Sequence, residues 1–247
     1  MTDSSARPSS ASDIRAIGPA EVHLWLRHRE RVDSSDAFRR AVLCGYAAVP
    51  PGHWRFSVGE HGKPDLVDPP RPLAFNLSHS GDWFACAVTA GTPVGVDLEH
   101  TGRKNDTARL ARRYFTAVEL EDIESQPGDA RRERFFDYWT LKEAAVKARG
   151  DALPPSLRTR VFALRAARGD APQAVSATDT GGVDPCAYYL FDPLPGYRLA
   201  LCWPPGAAAP PRLRLFLEAD GAAPAVSLRA SPAGAAPPDW AVVPCSC

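Results

Sequence analysis

The sequence predicts an α+β fold, and three observations carry that prediction. Helical caps and spacing occur over Ser34 to Ala48 and again between Thr116 and Gly150. Alternating or β-rich runs lie at Leu73 to Glu99 and at Val161 to Trp203. Each half therefore offers helices followed by strands that short turns can join antiparallel, which is the α+β pattern.

Taken in order, residues 1–13 are polar and Ser-rich and read as a disordered leader. They lack the apolar stretch of a secretory signal, so a cytoplasmic location is expected. Ala20 to Arg31 reads as a helix, with Val22, Leu24, Trp25 and Leu26 supplying apolar contacts. Ser34-Ser35-Asp36 caps a second helix from Ala37 to Ala48, stopped by Pro50-Pro51. Trp54 to Val58 reads as a short strand, and Gly59 to Pro72 is rich in turn residues. Leu73 to Ser78 and Trp83 to Thr89 flank His79-Ser80-Gly81-Asp82, which reads as a hairpin turn.

Val94 to Glu99 is a further strand, followed by a helix from Ala108 to Phe115. Thr116 with Glu119 three residues on is the signature of a capping box. Pro127-Gly128-Asp129 breaks that helix, and a long one follows from Arg131 to Arg149, stopped by Gly150. Val161 to Leu164, Ala187 to Phe191, Tyr197 to Trp203 and Leu213 to Leu217 read as strands. Gly169 to Pro185 reads as a long loop, and the Ala/Pro-rich stretch from Gly221 as a poorly ordered tail.

Composition narrows the function classes. At 247 residues the chain has room for one large domain or two small ones. A formal net charge of zero argues against a whole-protein pull on nucleic acid or a membrane surface. No apolar run approaches the length of a membrane span. Cys44, Cys86, Cys186, Cys202, Cys245 and Cys247 are scattered, without C-x-x-C or paired histidine spacing, so zinc is not expected, and their even number does not argue for disulfides in a chain of this size; Cys245 and Cys247 read as free thiols. Lysine occurs only at Lys63, Lys104, Lys142 and Lys147, in a chain that otherwise uses arginine, so each lysine is informative.

Two segments carry the chemistry. In Gly95-Val-Asp-Leu-Glu99, a strand places Val96 and Leu98 on one face and Asp97 and Glu99 on the other, roughly 7 Å apart. Two such carboxylates repel unless a cation sits between them, and a hard divalent cation such as Mg²⁺ takes oxygen ligands. The plain alternative is a solvated strand face. About forty residues on, the long helix places Thr140, Glu143 and Lys147 on one face beside an apolar stripe through Phe135, Trp139, Lys142 and Val146. Glu143 and Lys147 read either as a surface i, i+4 ion pair or as a third metal carboxylate beside a phosphate-binding ammonium. Spacing alone does not choose between them.

Weaker signals precede these. Ser78 and His79 sit at a strand end where a ligand can approach, and Lys63 sits in a Gly62-Lys-Pro64 turn. Arg27, Arg29, Arg31, Arg39 and Arg40 form a basic N-terminal face able to grip phosphates.

The order Gly62-Lys-Pro64, Phe75-Asn-Leu-Ser-His-Ser80, Gly95-Val-Asp-Leu-Glu99 and Phe136-Asp-Tyr-Trp-Thr-Leu-Lys-Glu-Ala-Ala-Val-Lys-Ala-Arg-Gly150 resembles the 4′-phosphopantetheinyl transferases, in particular the larger, surfactin-synthetase-activating (Sfp-type) subfamily. The resemblance spans roughly residues 20–205. It implies two similar α+β halves about a pseudo-twofold axis in a monomer, with the site at their interface. On that pattern residues 14–93 form the coenzyme A half and 94–220 the metal half, with the boundary near Gly91 to Val94 and 221–247 left as a tail. The implied reaction moves the phosphopantetheine arm of coenzyme A to a serine of an apo acyl or peptidyl carrier protein and releases adenosine 3′,5′-bisphosphate.

The resemblance further implies that Asp97, Glu99 and Glu143 hold Mg²⁺, with Glu99 the least secure of the three. Lys147 meets the phosphate under attack, and Glu143 or a water takes the serine proton. Lys63 meets phosphate, Ser78 and His79 the 3′-phosphate region, and Arg39, with Arg40 second to it, coenzyme A. The basic stretch Arg103, Lys104, Arg109, Arg112 and Arg113 lies where an acidic carrier is expected to dock. The competing readings are a Mg²⁺-dependent phosphohydrolase and a non-catalytic module that binds coenzyme A or a carrier. The full set of acids and lysine argues against the module.

Overall fold

The structure, a computed structural model, describes residues 14–151, 157–165, 173–179, 182–203, 211–218, 226–232, 238 and 240–244. The chain opens on strand β1 (Glu21–His28), where the sequence reading expects a helix. Strict alternation explains the difference. Val22, Leu24 and Leu26 enter one core, while His23 and Trp25 are buried on the opposite face. Both faces are covered, so the segment lacks the polar face of a surface strand and imitates a helical cluster by composition.

Helix α1 (Ser35–Cys44) begins as expected, with the Ser34 hydroxyl accepting from the Ala37 N–H. A small hairpin follows, β2 (Arg55–Val58) with β3 (Pro64–Val67). Next come β4 (Ala74–Ser80) and β5 (Trp83–Thr89). Ser80 pairs with Trp83, so the turn shrinks to Gly81-Asp82 and His79 and Ser80 belong to the strand. Gly81 has φ 55°, and a Cβ there would lie 2.6 Å from the Tyr197 hydroxyl, so the turn requires glycine.

Strand β6 (Gly95–His100) leads into α2 (Thr107–Tyr114), α3 (Ala117–Ser125) and α4 (Ala130–Arg149). The capping box at Thr116 and Glu119 is formed, and α4 ends at Gly150 in the left-handed region, φ 74°. The rest is β: β7 (Val161–Arg165), β8 (Gln173–Asp179), β9 (Gly182–Val183), β10 (Ala187–Asp192), β11 (Tyr197–Trp203), β12 (Arg212–Glu218), β13 (Ser227–Pro232) and β14 (Trp240–Pro244). Thus β8 and β9 occupy the stretch read as a long loop, and β13 and β14 fall within the stretch read as a tail. The partners of β13 and β14 lie far off in sequence, β13 with β8 and β10 and β14 with β12, whereas β8 also pairs with its neighbours β7 and β9. Remote pairing, not local composition, makes β13 and β14 strands.

Two main sheets result, β14-β12-β1-β5-β4 and β6-β11-β10-β13-β8-β7, the latter with β9 beside β8. The first sheet takes β12 and β14 from late in the chain, so a division at Gly91 to Val94 marks the passage from β5 to β6 without confining each sheet to one half. The inner faces pack on each other through Val22, Leu24 and Leu26 against Val96, Leu98, Leu199 and Leu201. Helix α1 covers the outer face of the first sheet through Phe38, Val42 and Leu43. Helices α2, α3 and α4 cover the second, through Phe115, Phe135, Phe136 and Leu141. The layers run helix, sheet, sheet, helices, an α+β arrangement as expected. Among the described residues no helix is long and apolar enough to cross a membrane, and Cys44, Cys86, Cys186 and Cys202 are free thiols.

Candidate active site

The site forms where α4 crosses β6. On β6, Val96 and Leu98 point into the inner core, which turns Gly95, Asp97 and Glu99 toward α4 by the two-residue period of a strand. Gly95 permits the close crossing. A Cβ at this position would lie 1.9 Å from the Ala144 carbonyl oxygen and 2.6 Å from the Ala148 nitrogen.

Helix α4 is held firmly over the strand. Lys142 is fully buried and pairs at 2.9 Å with the equally buried Glu119 of α3. Its Nζ also donates to the carbonyls of Leu157 and Arg160. Glu119 in turn accepts from the N–H groups of Thr116 and Phe162, so the capping box of α3 also serves as an anchor for α4. One turn earlier Asp137 takes Arg198 of β11 at 2.7 Å and Arg229 of β13 at 3.1 Å. With Lys142 and Asp137 fixed, Glu143 and Lys147 are committed to the face toward β6.

There the charges meet. Lys147 Nζ lies 2.5 Å from Asp97 Oδ1 and 3.5 Å from Glu143 Oε2, and donates to the Ser78 hydroxyl at 3.1 Å. Ser78 Oγ donates to Asp97 Oδ1 at 2.8 Å and accepts from the Leu98 N–H. Glu99 Oε2 accepts from Ser80 Oγ at 2.7 Å and from Arg103 at 2.8 Å. Burial first, then the Asp97 charge, pushes Glu143 up to about 8, against the pull of Lys147. Burial and Asp97 also push Glu99 up, opposed by Ser80 and Arg103. For Lys147, burial works against the ammonium, but the charges of Asp97 and Glu143 more than offset it and hold its value above the ordinary lysine range.

Asp97 Oδ2 is buried and has no hydrogen-bond partner among the described residues. A buried carboxylate oxygen without a donor is costly unless a cation meets it. That orphaned oxygen, with the hard oxygen donors of Glu99 and Glu143 beside it, fits a divalent cation of the Mg²⁺ type. Among the described residues no three His, Cys, Asp or Glu side chains converge as a ready-made metal site. Lys147 instead bridges Asp97 and Glu143.

The remaining expected residues fall into three places. Lys63 lines a cavity of about 370 Å³ together with Asn76, Lys147 and Gly150, next to the acid cluster. His79 is exposed and lines a separate cavity of about 280 Å³ with Arg29, Ser34 and Ser35. Arg39 and Arg40 lie on α1, both paired with Asp36, and Arg40 also donates to the carbonyls of Pro51 and Trp54. The structure therefore brings together Ser78, Asp97, Glu99, Glu143 and Lys147 and sets Lys63 beside them, while His79 lines a second cavity and Arg39 and Arg40 lie on α1. Ser78 donates its hydroxyl hydrogen to Asp97, which leaves that group no donor for a nucleotide.

Sequence reasoning missed Ser80, Asn76 and the inward contact of Arg103. The available signal was the two-residue spacing of Asn76, Ser78 and Ser80, which puts three polar side chains on one face of β4.

A buried acid–lysine cluster on an edge strand, under a crossing helix and beside a lysine-lined cavity, defines a phosphate-handling enzyme of α+β fold. Residues 93–202 match the 4′-phosphopantetheinyl transferase superfamily. The chain is 32% identical over 167 residues to the 4′-phosphopantetheinyl transferase Sfp of Bacillus subtilis (strain 168), covering 68% of this chain and 70% of Sfp. It is 32% identical over 190 residues to psf-1 of Bacillus pumilus, covering 77% and 78%. Over 128 residues it is 40% identical to HetI of Nostoc sp., which covers 51% of this chain and about half, 54%, of HetI. Among solved structures, the crystal structure of Thermotoga maritima holo-[acyl-carrier-protein] synthase matches with a TM-score of 0.34 and 22% identity, over 45% of this chain and 61% of that one. The chain belongs to the 4′-phosphopantetheinyl transferases of the Sfp type.

Proposed function

We propose that the protein transfers the 4′-phosphopantetheine arm of coenzyme A to the serine hydroxyl of an apo carrier protein, with Mg²⁺ as the cofactor and adenosine 3′,5′-bisphosphate as the leaving product. The observation that carries this reading is the Lys147 ammonium bridging Asp97 and Glu143 at the mouth of a cavity that Lys63 also lines. Attack at a pyrophosphate phosphorus gathers negative charge on the phosphate oxygens, and catalysis then consists mainly of fixed positive charge placed where that charge develops. Lys147 and Lys63 supply such charge from the chain itself. Asp97 through Oδ2, with Glu99 and Glu143, would hold Mg²⁺, which neutralises pyrophosphate charge when bound.

Glu143 is the proton acceptor in this scheme. It lies beside Lys147 and Asp97 on the face of α4 toward β6, where it can take the proton of an incoming serine directly or through a water. The serine oxygen bonds to phosphorus as the pyrophosphate bond breaks, and the electron pair leaves with the nucleotide. Lys63 and Ser78 precede the boundary near Gly91 to Val94 and the acids of β6 and α4 follow it, so one chain supplies the site and we expect a monomer to act. The carrier docks across the basic segment from Arg103 to Arg113, where Arg109, Arg112 and Arg113 meet an acidic surface.

The test is a product analysis. With coenzyme A, Mg²⁺ and an apo carrier, chromatography should find adenosine 3′,5′-bisphosphate in step with carrier consumed, and none after chelation with EDTA. Release of inorganic phosphate without any carrier would overturn the reading in favour of a phosphohydrolase.

A further inference from the structure

Strand β6 lies at the edge of its sheet, paired on one side only with β11. Its N–H groups at Val96, Leu98 and His100 point away from β11, toward β4 of the other sheet. Buried N–H groups need partners. No strand pairing supplies them, because β4 and β6 are not paired in either sheet. Three side chains of β4 do so instead. Asn76 Oδ1 accepts from Val96 N at 2.8 Å, Ser78 Oγ from Leu98 N at 3.1 Å and Ser80 Oγ from His100 N at 2.9 Å. All three side chains are buried. Their two-residue spacing matches the spacing of the three N–H groups, so together they act as a side-chain strand across the gap between the sheets.

The same hydroxyls reach the acids. Ser78 donates to Asp97 Oδ1 and Ser80 to Glu99 Oε2. A cation backs each of these oxygens, Lys147 at Asp97 Oδ1 and Arg103 at Glu99 Oε2. Each β6 carboxylate therefore has one oxygen held by a hydroxyl and a cation, and for Asp97 the other oxygen is left without a partner.

Resting on the metal-assisted reading above, we infer that Asn76 and Ser80 are positioning residues of the active site. They fix the register of β6 against β4 and, through Ser80 with Arg103, hold Glu99 by one oxygen as Ser78 with Lys147 holds Asp97, so that the two acids would meet a cation in a fixed orientation. Removing the Ser80 hydroxyl leaves Glu99 Oε2 held by Arg103 alone and orphans the His100 N–H. Partners that orient metal ligands contribute about 10- to 100-fold to metal affinity.

The experiment titrates Mn²⁺ into the full chain in the presence of coenzyme A, reading free Mn²⁺ by electron paramagnetic resonance, for wild type, Ser80→Ala, Ser80→Thr and Asn76→Ala. Ser80→Ala should bind Mn²⁺ about tenfold more weakly. Ser80→Thr, which keeps the hydroxyl, should return affinity to within about threefold of wild type, an allowance well inside that same effect. Amide hydrogen exchange gives a second readout that a general loss of stability would not localise. His100 should exchange faster in Ser80→Ala and Val96 faster in Asn76→Ala, with the core of β11 unchanged. If one variant does not fold, the other still tests the register. Wild-type Mn²⁺ affinity in Ser80→Ala, or exchange that rises uniformly across the second sheet, would overturn the inference. Absence of Mn²⁺ binding by the wild type would instead remove the metal reading, and the inference with it.

Discussion

Replacing Gly95 by alanine perturbs the site without touching any charged group. The added Cβ would lie 1.9 Å from the Ala144 carbonyl oxygen, 2.6 Å from the Ala148 nitrogen and 2.9 Å from the Ala148 Cβ. Ordinary carbon–oxygen contact is about 3.3 Å or more, so strand and helix must part by more than an ångström. These obstacles are helix backbone, which no rotamer change can clear. Overpacking of this kind costs about 1–3 kcal/mol, and at about 2–4 °C per kcal/mol for a chain of this size the melting temperature should fall by several degrees. The same movement reaches the catalytic groups. The shift carries Glu143 and Lys147 away from Asp97, from which Lys147 now sits at 2.5 Å. A displacement of about 1 Å at reacting groups costs on the order of 100-fold in rate. Gly95→Ala should therefore lose about two orders of magnitude in kcat/KM for carrier loading while circular dichroism still shows a folded protein with a modestly lowered Tm. Wild-type kcat/KM in this variant would refute the close-crossing argument.

Three further outcomes follow from the same geometry. Asp97→Ala and Glu143→Ala should each abolish carrier loading with unchanged far-ultraviolet circular dichroism, and full activity in either would remove the assignment of these acids. Lys142→Met leaves the buried Glu119 charge without its partner and should destabilise the protein by about 3–5 kcal/mol; Lys142→Met with Glu119→Gln should recover part of the loss in a thermal melt, and a single variant that melts like wild type would contradict the anchor. His23 is buried, with Nδ1 2.7 Å from the Tyr46 hydroxyl, and burial holds it down to about 4 from an ordinary 6.5. Because the folded state disfavours the protonated ring, this stabilisation is complete above about pH 6.5 and drains away as pH falls to about 4, by up to ~3 kcal/mol. Urea melts of wild type and His23→Asn across that range should show a shallower slope in the variant, and equal slopes would refute it.

Much of the fold is legible in local pattern. Trp83 to Thr89 and Tyr197 to Trp203 stand in the structure with the ends read from their alternation, and Gly150 ends α4 through the left-handed conformation that only glycine adopts freely. Strand β1 was not legible as a strand because both its faces are buried, so alternation of polarity is lost although alternation of direction remains. Strands β8, β13 and β14 were missed for another reason. Each sits in an Ala-, Gly-, Ser- and Pro-rich stretch that masks its β-formers, and β13 and β14 pair with strands far off in the chain.

The site divides in the same way. Asp97, Glu99, Glu143 and Lys147 announce themselves by charge at strand and helix spacing. Asn76 and Ser80 act on backbone N–H groups twenty residues further on, a relation that local spacing does not encode. Arg103 reads from sequence as part of the basic stretch facing a carrier, and only the turn after β6 brings it back to Glu99.

If β6 and α4 form one phosphopantetheine-transfer site, the intact mass of an apo carrier protein must report it. After incubation with the protein, coenzyme A and Mg²⁺, the carrier should be heavier by one phosphopantetheine group, with no gain when the carrier's acceptor serine is replaced by alanine. A carrier of unchanged mass across a panel of acyl and peptidyl carriers would contradict it.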